Sequence, residues 1–412
     1  MPETRYRSGM GHAIRPFGAN DAMHVGIDAS AWENERGFGR FTRSLVDALA
    51  RRDSGISYTL LFDRAPGRET PKGVAVRIAG AARSMSQASS GTGARAGTDM
   101  LSMGRAARGI DCDVFFYPAV YSYFPLLSRI PKVMCFHDTI PERFPDLIFP
   151  SRRNFRLWQA KIWLAKMQAA RIMTVSQASA DDLSRFLGIR ADRIDLTTEG
   201  ADPVFCPIAD AAILAATRAR HAIALDDQVL TYIGGFNRHK NVLRLIEAMP
   251  AILAECPRAR LIIVGRTTGD RFWDNIDELR AGASADARSS DRISFAGEIS
   301  DAQMAQLLNC SAALVFPSLW EGFGLPALEA MSCATPVLAS NRGSLPEVIG
   351  DGGLYFDPRS TGELVARTVE ILKDARLRDR LSGQALARAA QFNWDKAAEM
   401  AETSFRKAAG KG

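Results

Sequence analysis

A chain of 412 residues with 47% hydrophobic side chains is long enough for two domains with separate cores, and it holds no apolar run near the ~18 residues that a membrane span needs. Its six cysteines are scattered without Cys-x-x-Cys or His-rich spacing, which excludes a zinc module and predicts reduced structural thiols in a cytosolic protein. The formal net charge of +6 belongs entirely to the first half: residues 1–210 carry 28 Lys and Arg against 22 Asp and Glu, residues 211–412 carry 24 against 24, so an anionic partner is expected there.

Residues 1–22 are polar and aperiodic with no apolar h-region, and are read as a disordered extension rather than a secretory signal. From Met23 onward, short apolar strands alternate with longer helical segments, the pattern of parallel βαβ units. Strands are predicted near 24–29, 56–63, 74–79, 113–117, 132–137, 172–176 and 194–198. Gly37-Phe38-Gly39-Arg40 follows the first of them, but position 42 is Thr, where a dinucleotide-binding loop would place a third glycine. Gly80 to Gly109 breaks the pattern. It is rich in Ala, Ser and Gly, with Arg83, Arg95, Arg105 and Arg108 against a lone Asp99, and reads as a long functional or disordered loop. Asp111-Cys112-Asp113 has the form of a metal-binding Asp-x-Asp, but it precedes a buried strand and is read as a structural turn. His137 ends the apolar strand Val133-Met134-Cys135-Phe136, poised at a cleft; a satisfied core histidine is the alternative.

From Ser151 to Ser176, Phe155, Trp158, Ile162, Ala165, Ala169 and Ile172 recur at 3,4,3,4,3 spacing, one helical face. Arg152, Arg153, Arg156, Lys161, Lys166 and Arg171 have no acid between them. Trp163 falls outside the stripe with Arg152, Arg156 and Lys166. Cations with one interfacial aromatic fit an anionic membrane surface; a merely solvated face is the alternative.

A domain boundary is expected around 202–225, where Asp202-Pro203-Val204-Phe205-Cys206-Pro207 ends the first pattern. Strands follow near 229–234, 260–264, 292–296, 313–316, 336–340 and 353–356. Lys240 comes after a Gly234-Gly235 strand exit and is read as beginning a helix. A lysine in the first helical turn works against the dipole, so an anion should compensate it. Ala312 to Pro317 reads as a buried strand, followed by Glu321-Gly322-Phe323-Gly324-Leu325-Pro326-Ala327-Leu328-Glu329. Gly322 and Gly324 allow close backbone approach, Pro326 suits a first helical turn, and the N–H groups there favour phosphate. Glu321 in the loop and Glu329 about one turn into the helix would accept from hydroxyls. Donors for phosphate beside acceptors for hydroxyls fit a nucleotide sugar. A glycosidase pair, about 5 to 9 Å apart across one bond, does not suit one loop residue and one helix residue.

These stretches together resemble the retaining glycosyltransferases of family GT4. The Glu321…Glu329 element resembles the family's Glu-x7-Glu, Tyr232 to Asn241 its strand, Gly loop and Lys-Asn, and Phe295 to Asp301 its Gly turn. Phe392 to Ala398 resembles its C-terminal helix entry, and Gly37 to Phe41 and His137 to Pro141 its N-domain loops. The resemblance spans roughly Met23 to Arg406. It implies the α/β GT-B fold, two Rossmann-like doubly wound parallel-sheet domains facing a central cleft. Residues 23–208 would form the N-terminal acceptor-binding domain, 209–393 the C-terminal nucleotide-sugar-binding domain, and 394–412 a helix crossing back.

The resemblance also implies roles. Lys240 would act on the donor diphosphate, Glu321 on the transferred sugar and Glu329 on the ribose. Backbone N–H groups of Phe323, Gly324 and Leu325 would hold sugar or phosphate. Gly234 and Gly235 line the strand exit, and Gly297 and Ile299 lie beside the base. Gly37, Gly39 and Arg40 border phosphate and acceptor. His137 lies near the donor's exocyclic carbon, with Asp138 orienting it. Many relatives carry an Arg a few residues before the Lys; here Arg238 is the nearest substitute. No cofactor is implied beyond the nucleoside diphosphate sugar co-substrate, and no metal.

His137-Asp138-Thr139-Ile140-Pro141-Glu142-Arg143-Phe144-Pro145 most resembles members that use GDP-mannose in surface-polysaccharide assembly. The implied activity is hexosyl transfer to a lipid-linked oligosaccharide acceptor, by a cytoplasmic enzyme peripheral on the inner face of the cytoplasmic membrane, with no nucleic acid involved. A GDP-fucose, dTDP-rhamnose or UDP-glucose transferase and a GT-B sugar-nucleotide epimerase or phosphorylase remain open. A non-catalytic binding protein is the third alternative, and intact Lys240, Glu321 and Glu329 argue against it.

Overall fold

The computed structural model describes residues 23–35, 37–80, 97–267 and 275–411. The expected extension over 1–22 lies outside them, as do Arg83 and Arg95. Among the described residues, β1 (Met23–Asp28), β2 (Ile56–Phe62), β3 (Ala75–Ile78), β4 (Val114–Tyr117), β5 (Lys132–Cys135), β6 (Ala169–Thr174) and β7 (Ile194–Leu196) form a seven-stranded sheet in the order β3-β2-β1-β4-β5-β6-β7. A six-stranded sheet runs β10-β9-β8-β11-β12-β13, from β8 (Gln228–Ile233), β9 (Ala259–Val264), β10 (Ile293–Gly297), β11 (Ala313–Phe316), β12 (Val337–Ser340) and β13 (Gly353–Phe356).

Every pairing is parallel. Strands covered by helices on both faces are mostly apolar, and β4, β5, β11 and β12 are buried at every position, with Lys132 and Ser340 as their buried polar members. Strand order reverses between β1 and β4 and between β8 and β11, and ligands bind at the carboxyl ends of strands at such points. The expected pair of Rossmann-like parallel sheets is present.

Three expectations need correction. Part of the supposed loop from Gly80 to Gly109 is a helix, Gly97–Arg108, because Met103 and Ala107 face a core that Met100 flanks. The helix predicted to continue to Ile172 stops at Gln168: Ala169 is extended and opens β6, so the last two members of the stripe are strand residues that happen to keep helical spacing. That helix, Arg152–Gln168, is capped by the Ser151 side chain and buries Ile162 and Ala165. Lys166 does not project freely with Trp163, since its ammonium donates to the Leu187 carbonyl at 2.7 Å. Lys161 likewise donates to the Tyr121 carbonyl at 2.6 Å, whereas Arg152, Arg153 and Arg156 are exposed.

The final helix, Trp394–Ala408, packs on the first sheet's domain. Thr197 donates to the Ala397 carbonyl at 3.1 Å, and Phe405 packs against Phe116 of β4 at 5.0 Å with the rings tilted by 58°. Asp195 of β7 accepts from Ser404 and Lys407, each at 2.8 Å, and from Arg171 at 2.6 and 2.8 Å. Burial opposes its charge, but these donors outweigh it and hold the carboxyl below its ordinary value.

Candidate active site

The loop after β8 delivers Lys240. The Tyr232 hydroxyl donates to the Gly235 carbonyl at 2.6 Å, and Arg238–Lys240 makes one 3-10 turn. Asn241 is left-handed (φ 58°), a conformation Asn tolerates, and its amide bonds the Pro317 and Pro358 carbonyls at 3.1 and 2.9 Å. The helix therefore begins only at Val242, and Lys240 stands before it rather than in its first turn. Its ammonium is free of the dipole and turns to Glu321, donating to both carboxylate oxygens at 2.8 and 2.9 Å.

The Glu321 loop is held from behind. The Ser344 hydroxyl donates to the Glu321 and Phe323 carbonyls at 3.1 and 2.8 Å. Phe323 is buried and meets Phe392 edge-on at 5.7 Å. Gly324 (φ 97°) starts the helix Leu325–Ser332, where a Cβ would strike Leu345 at 2.8 Å as well as demand a strained backbone.

Glu329 on that helix is fully buried, and neither carboxylate oxygen has a hydrogen bond within the described protein. Arg40, from the other domain, approaches Glu329 Oε1 at 2.6 Å but off the hydrogen-bonding direction, and also donates to Asp301 at 3.2 Å. Burial dominates over the attraction of Arg40, so the Glu329 carboxyl is pushed up to about 8. A buried carboxylate without donors is costly unless a ligand supplies them.

The N-terminal domain faces this loop closely. A Cβ on Gly322 would collide with the His137 carbonyl oxygen. Ser176 and Ser179 donate to the Gly322 carbonyl at 2.6 and 3.1 Å. The buried His137 ring donates from Nε2 to the Pro118 carbonyl at 2.9 Å, and its Nδ1 lies 3.8 Å from Glu199. Burial opposes charge on the ring, but Cys135 and Glu199 outweigh it and raise its pKa. Asp138 is turned to its own backbone, accepting from the Ile140 N–H at 2.9 Å, so Glu199 rather than Asp138 stands at Nδ1.

Lys240, Glu321, Glu329, His137, Arg40, Gly322, Phe323, Gly324 and Leu325 thus lie on the surfaces where the two domains meet. Gly39 is in the first turn beside Asn34, whose carbonyl a Cβ would strike, while Gly37 faces open space. Gly234 (φ 154°) and Gly297 (φ 71°) end β8 and β10, and Ile299 packs beside the core. Arg238 points elsewhere, paired with Glu278 at 2.8 Å on the exposed surface. Sequence reasoning missed Glu199, Asp301 and Arg143, whose guanidinium sits 3.6 Å over the Trp320 ring. Glu199 carried a usable signal, since it follows β7 by three residues as His137 follows β5 by two.

Residues 36–205 match the family described as Glycosyltransferase Family 4, and residues 215–388 the one described as Glycosyl transferases group 1. The O-antigen chain mannosyltransferase B of Escherichia coli is 32% identical over 277 residues, 66% of this chain and 69% of its own length. The serotype-specific mannosyltransferase WbdA of Escherichia coli is 30% identical over 280 residues, 66% of this chain but 33% of that longer protein. In structure, sucrose-phosphate synthase from Thermosynechococcus elongatus superposes with a TM-score of 0.73 at 19% identity, over 95% of this chain and 100% of that one. Anabaena HepE in complex with UDP and glucose gives 0.69 at 18% identity, over 93% and 99%.

Proposed function

The chain belongs to glycosyltransferase family 4 and has its GT-B fold; on that premise we propose that it transfers mannose, with retention, from GDP-mannose to a lipid-linked oligosaccharide in surface-polysaccharide assembly. The observation that carries a nucleotide-sugar donor is Glu329, a buried carboxylate with no hydrogen bond to either oxygen, one turn into a helix that starts at Gly324. Ribose hydroxyls supply the missing donors. The Lys240 ammonium stabilises charge on the leaving diphosphate, and Glu321, fixed by that ammonium, orients the sugar hydroxyls. Phe323, Gly324 and Leu325 offer their backbone N–H groups ahead of the helix. Mannose is supported by the two mannosyltransferase relatives.

The test is a thermal-shift and transfer panel with GDP-mannose, GDP-fucose, dTDP-rhamnose and UDP-glucose, since a ligand of the native state raises the melting temperature. No shift with any of them would sink the donor reading. Turnover without acceptor, or with free phosphate, would make the protein an epimerase or phosphorylase. Lys240 and the helix N-terminus already neutralise the diphosphate, so activity should stay within about twofold after EDTA dialysis.

The acceptor's lipid calls for a membrane-facing surface. No helix among the described residues is long and apolar enough to cross a membrane. The helix Arg152–Gln168 instead exposes Leu157 (62%), Trp163 (56%), Leu164 (41%) and Met167 (65%), next to the exposed Arg152, Arg153 and Arg156. Such a face suits the inner, anionic leaflet of the cytoplasmic membrane. Each cation contributes about 1 kcal/mol there, so Arg152→Gln/Arg153→Gln/Arg156→Gln should weaken binding to anionic vesicles by about 10². Equal co-sedimentation of variant and wild type would remove the membrane from the proposal.

A further inference from the structure

The helix Gln177–Leu187 of the N-terminal domain begins on a carboxylate from the other domain. Ser176 caps it, its hydroxyl accepting the Ser179 N–H at 3.1 Å, and the Ala180 N–H bonds the Ser176 carbonyl at 3.0 Å. That leaves the N–H groups of Gln177 and Ala178. The first donates to Glu347 Oε1 at 2.8 Å and the second to Glu347 Oε2 at 3.1 Å. Water satisfies such groups at an exposed helix start, so the helix itself does not need a carboxylate from 170 residues away. Two N–H groups and the helix dipole nonetheless hold an anion by charge-assisted bonds, which makes this a docking contact between the domains.

Glu347 is fixed from its own side. It lies on the short helix Leu345–Ile349, where the Glu347 and Val348 carbonyls both accept from Arg388. Ser344, just before that helix, is the residue whose hydroxyl reaches the Glu321 and Phe323 carbonyls. The helix Gln177–Leu187 meets the same loop from the opposite domain, on both sides of Glu321. After Glu321, the Ser176 hydroxyl donates to the Gly322 carbonyl at 2.6 Å. Before it, Asp182 accepts from Arg143 Nε at 3.1 Å, and the Arg143 guanidinium lies over the Trp320 ring. The loop and the two helices thus close a ring of contacts. Glu347 links the helices, and Glu321 stands between the two points that the longer helix holds.

We infer that Glu347 is a positioning residue for the transfer: seated on the Gln177 and Ala178 N–H groups, its carboxylate sets the helix Gln177–Leu187 against the Glu321 loop and so fixes where Glu321 stands. The inference rests on the role proposed above for Glu321 and adds what places that carboxylate across the domain boundary.

Amide hydrogen exchange and transfer kinetics on the full chain test it together. Glu347→Ala leaves both N–H groups open. Gln177→Pro removes one of them with the helix intact, because proline suits the first helical position and Ser176 before it is already extended. Both variants should speed exchange over residues 319–324 by about tenfold and lower kcat by about tenfold, the scale of one lost helix cap, with affinity for bare GDP within about twofold of wild type. Gln177→Ala loses only a surface bond from its side chain to Asp181 and should match wild type. Acetate, a free carboxylate for the vacated N–H groups, should raise kcat about threefold in Glu347→Ala but not in Gln177→Pro, against chloride at equal ionic strength. Melting temperatures show that each variant is folded. Exchange that speeds only over residues 177–182, unchanged kcat in Glu347→Ala, equal losses in Gln177→Ala and Gln177→Pro, or acetate that restores nothing would overturn the inference. A GDP affinity that falls as far as kcat would overturn it in favour of a nucleotide-binding role. No transfer by wild type with any donor would defeat the transferase reading, and exchange over residues 319–324 would still decide whether Glu347 places the loop.

Discussion

The loop that carries Glu321 and the helix that carries Glu329 both bring a carboxylate to a cation, but the two contacts differ in kind. Lys240 and Glu321 belong to one domain, and the ammonium bonds both oxygens. Arg40 and Glu329 belong to different domains, approach closely without a hydrogen bond, and share the cation with Asp301. The first pair is complete in itself: each partner cancels the burial cost of the other, and removing one strands the other. The second is a close approach across domains without a hydrogen bond to either oxygen. Two acids of one short motif thus meet their cations differently, one in a bonded pair within a domain and one unbonded between domains.

The largest effect expected is on the complete pair. Lys240→Ala should lower turnover by about 10² or more, and Glu321 left without its cation should cost about 3 kcal/mol of stability, visible in the melting temperature. If the pair acts as a unit, Lys240→Ala/Glu321→Ala loses no further turnover and regains part of that stability; additive losses in a double-mutant cycle would break the comparison.

Next comes nucleotide affinity. Calorimetry with bare GDP should show Glu329→Ala weaker by about ten- to a hundredfold, the range for hydrogen bonds to a charged group, and Glu321→Ala almost unchanged in affinity while inactive. Equal weakening in both would merge the two roles.

A smaller effect depends on pH. Burial pushes the Glu329 carboxyl up to about 8, above the ordinary carboxylate range, so below pH 8 it holds its proton and must ionise to accept two hydroxyl bonds. Affinity for GDP-mannose, whose pyrophosphate does not titrate in this window, should rise about tenfold between pH 7 and 9 and then level off. Glu329→Gln should be flat; the same slope in that variant would assign the titration elsewhere. The smallest expected change is in Arg40→Ala, which removes the cation that favours the ionised acid. Its affinity midpoint should move to higher pH in the same titration, and an unmoved midpoint would show that Arg40 is a bystander.

Much of this arrangement was legible in the sequence. The strands stood out because buried parallel strands are continuous apolar runs between polar or Gly-rich breaks. The helix Gly97–Arg108 did not, because Ala, Ser, Gly and Arg around it masked the spacing of Met100, Met103 and Ala107. The run ending in Ala169 and Ile172 misled because these two buried positions, on opposite faces of β6, happen to continue a helical spacing. Within the site, Lys240, Glu321 and Glu329 could be named because each belongs to a local strand–loop–helix unit. Their partners across the domains could not. Arg40 on Glu329, Ser176 on Gly322 and Arg143 on Trp320 depend on how two independently folded sheets meet. Arg238, a cation close in sequence to Lys240, turns outward to Glu278.

The crossing of the last helix has a consequence for synthesis. Ala397, Ala401 and Phe405 at the far end of the chain are 0% exposed against residues laid down first, and Asp195 waits for Ser404 and Lys407. Domains made on a ribosome usually close in the order of their emergence. Here the leading domain leaves the tunnel with part of its apolar surface uncovered, and it stays so while the entire trailing domain is translated. A premature stop before Trp394 therefore keeps Lys240, Glu321 and Glu329 yet leaves apolar surface of the first sheet uncovered.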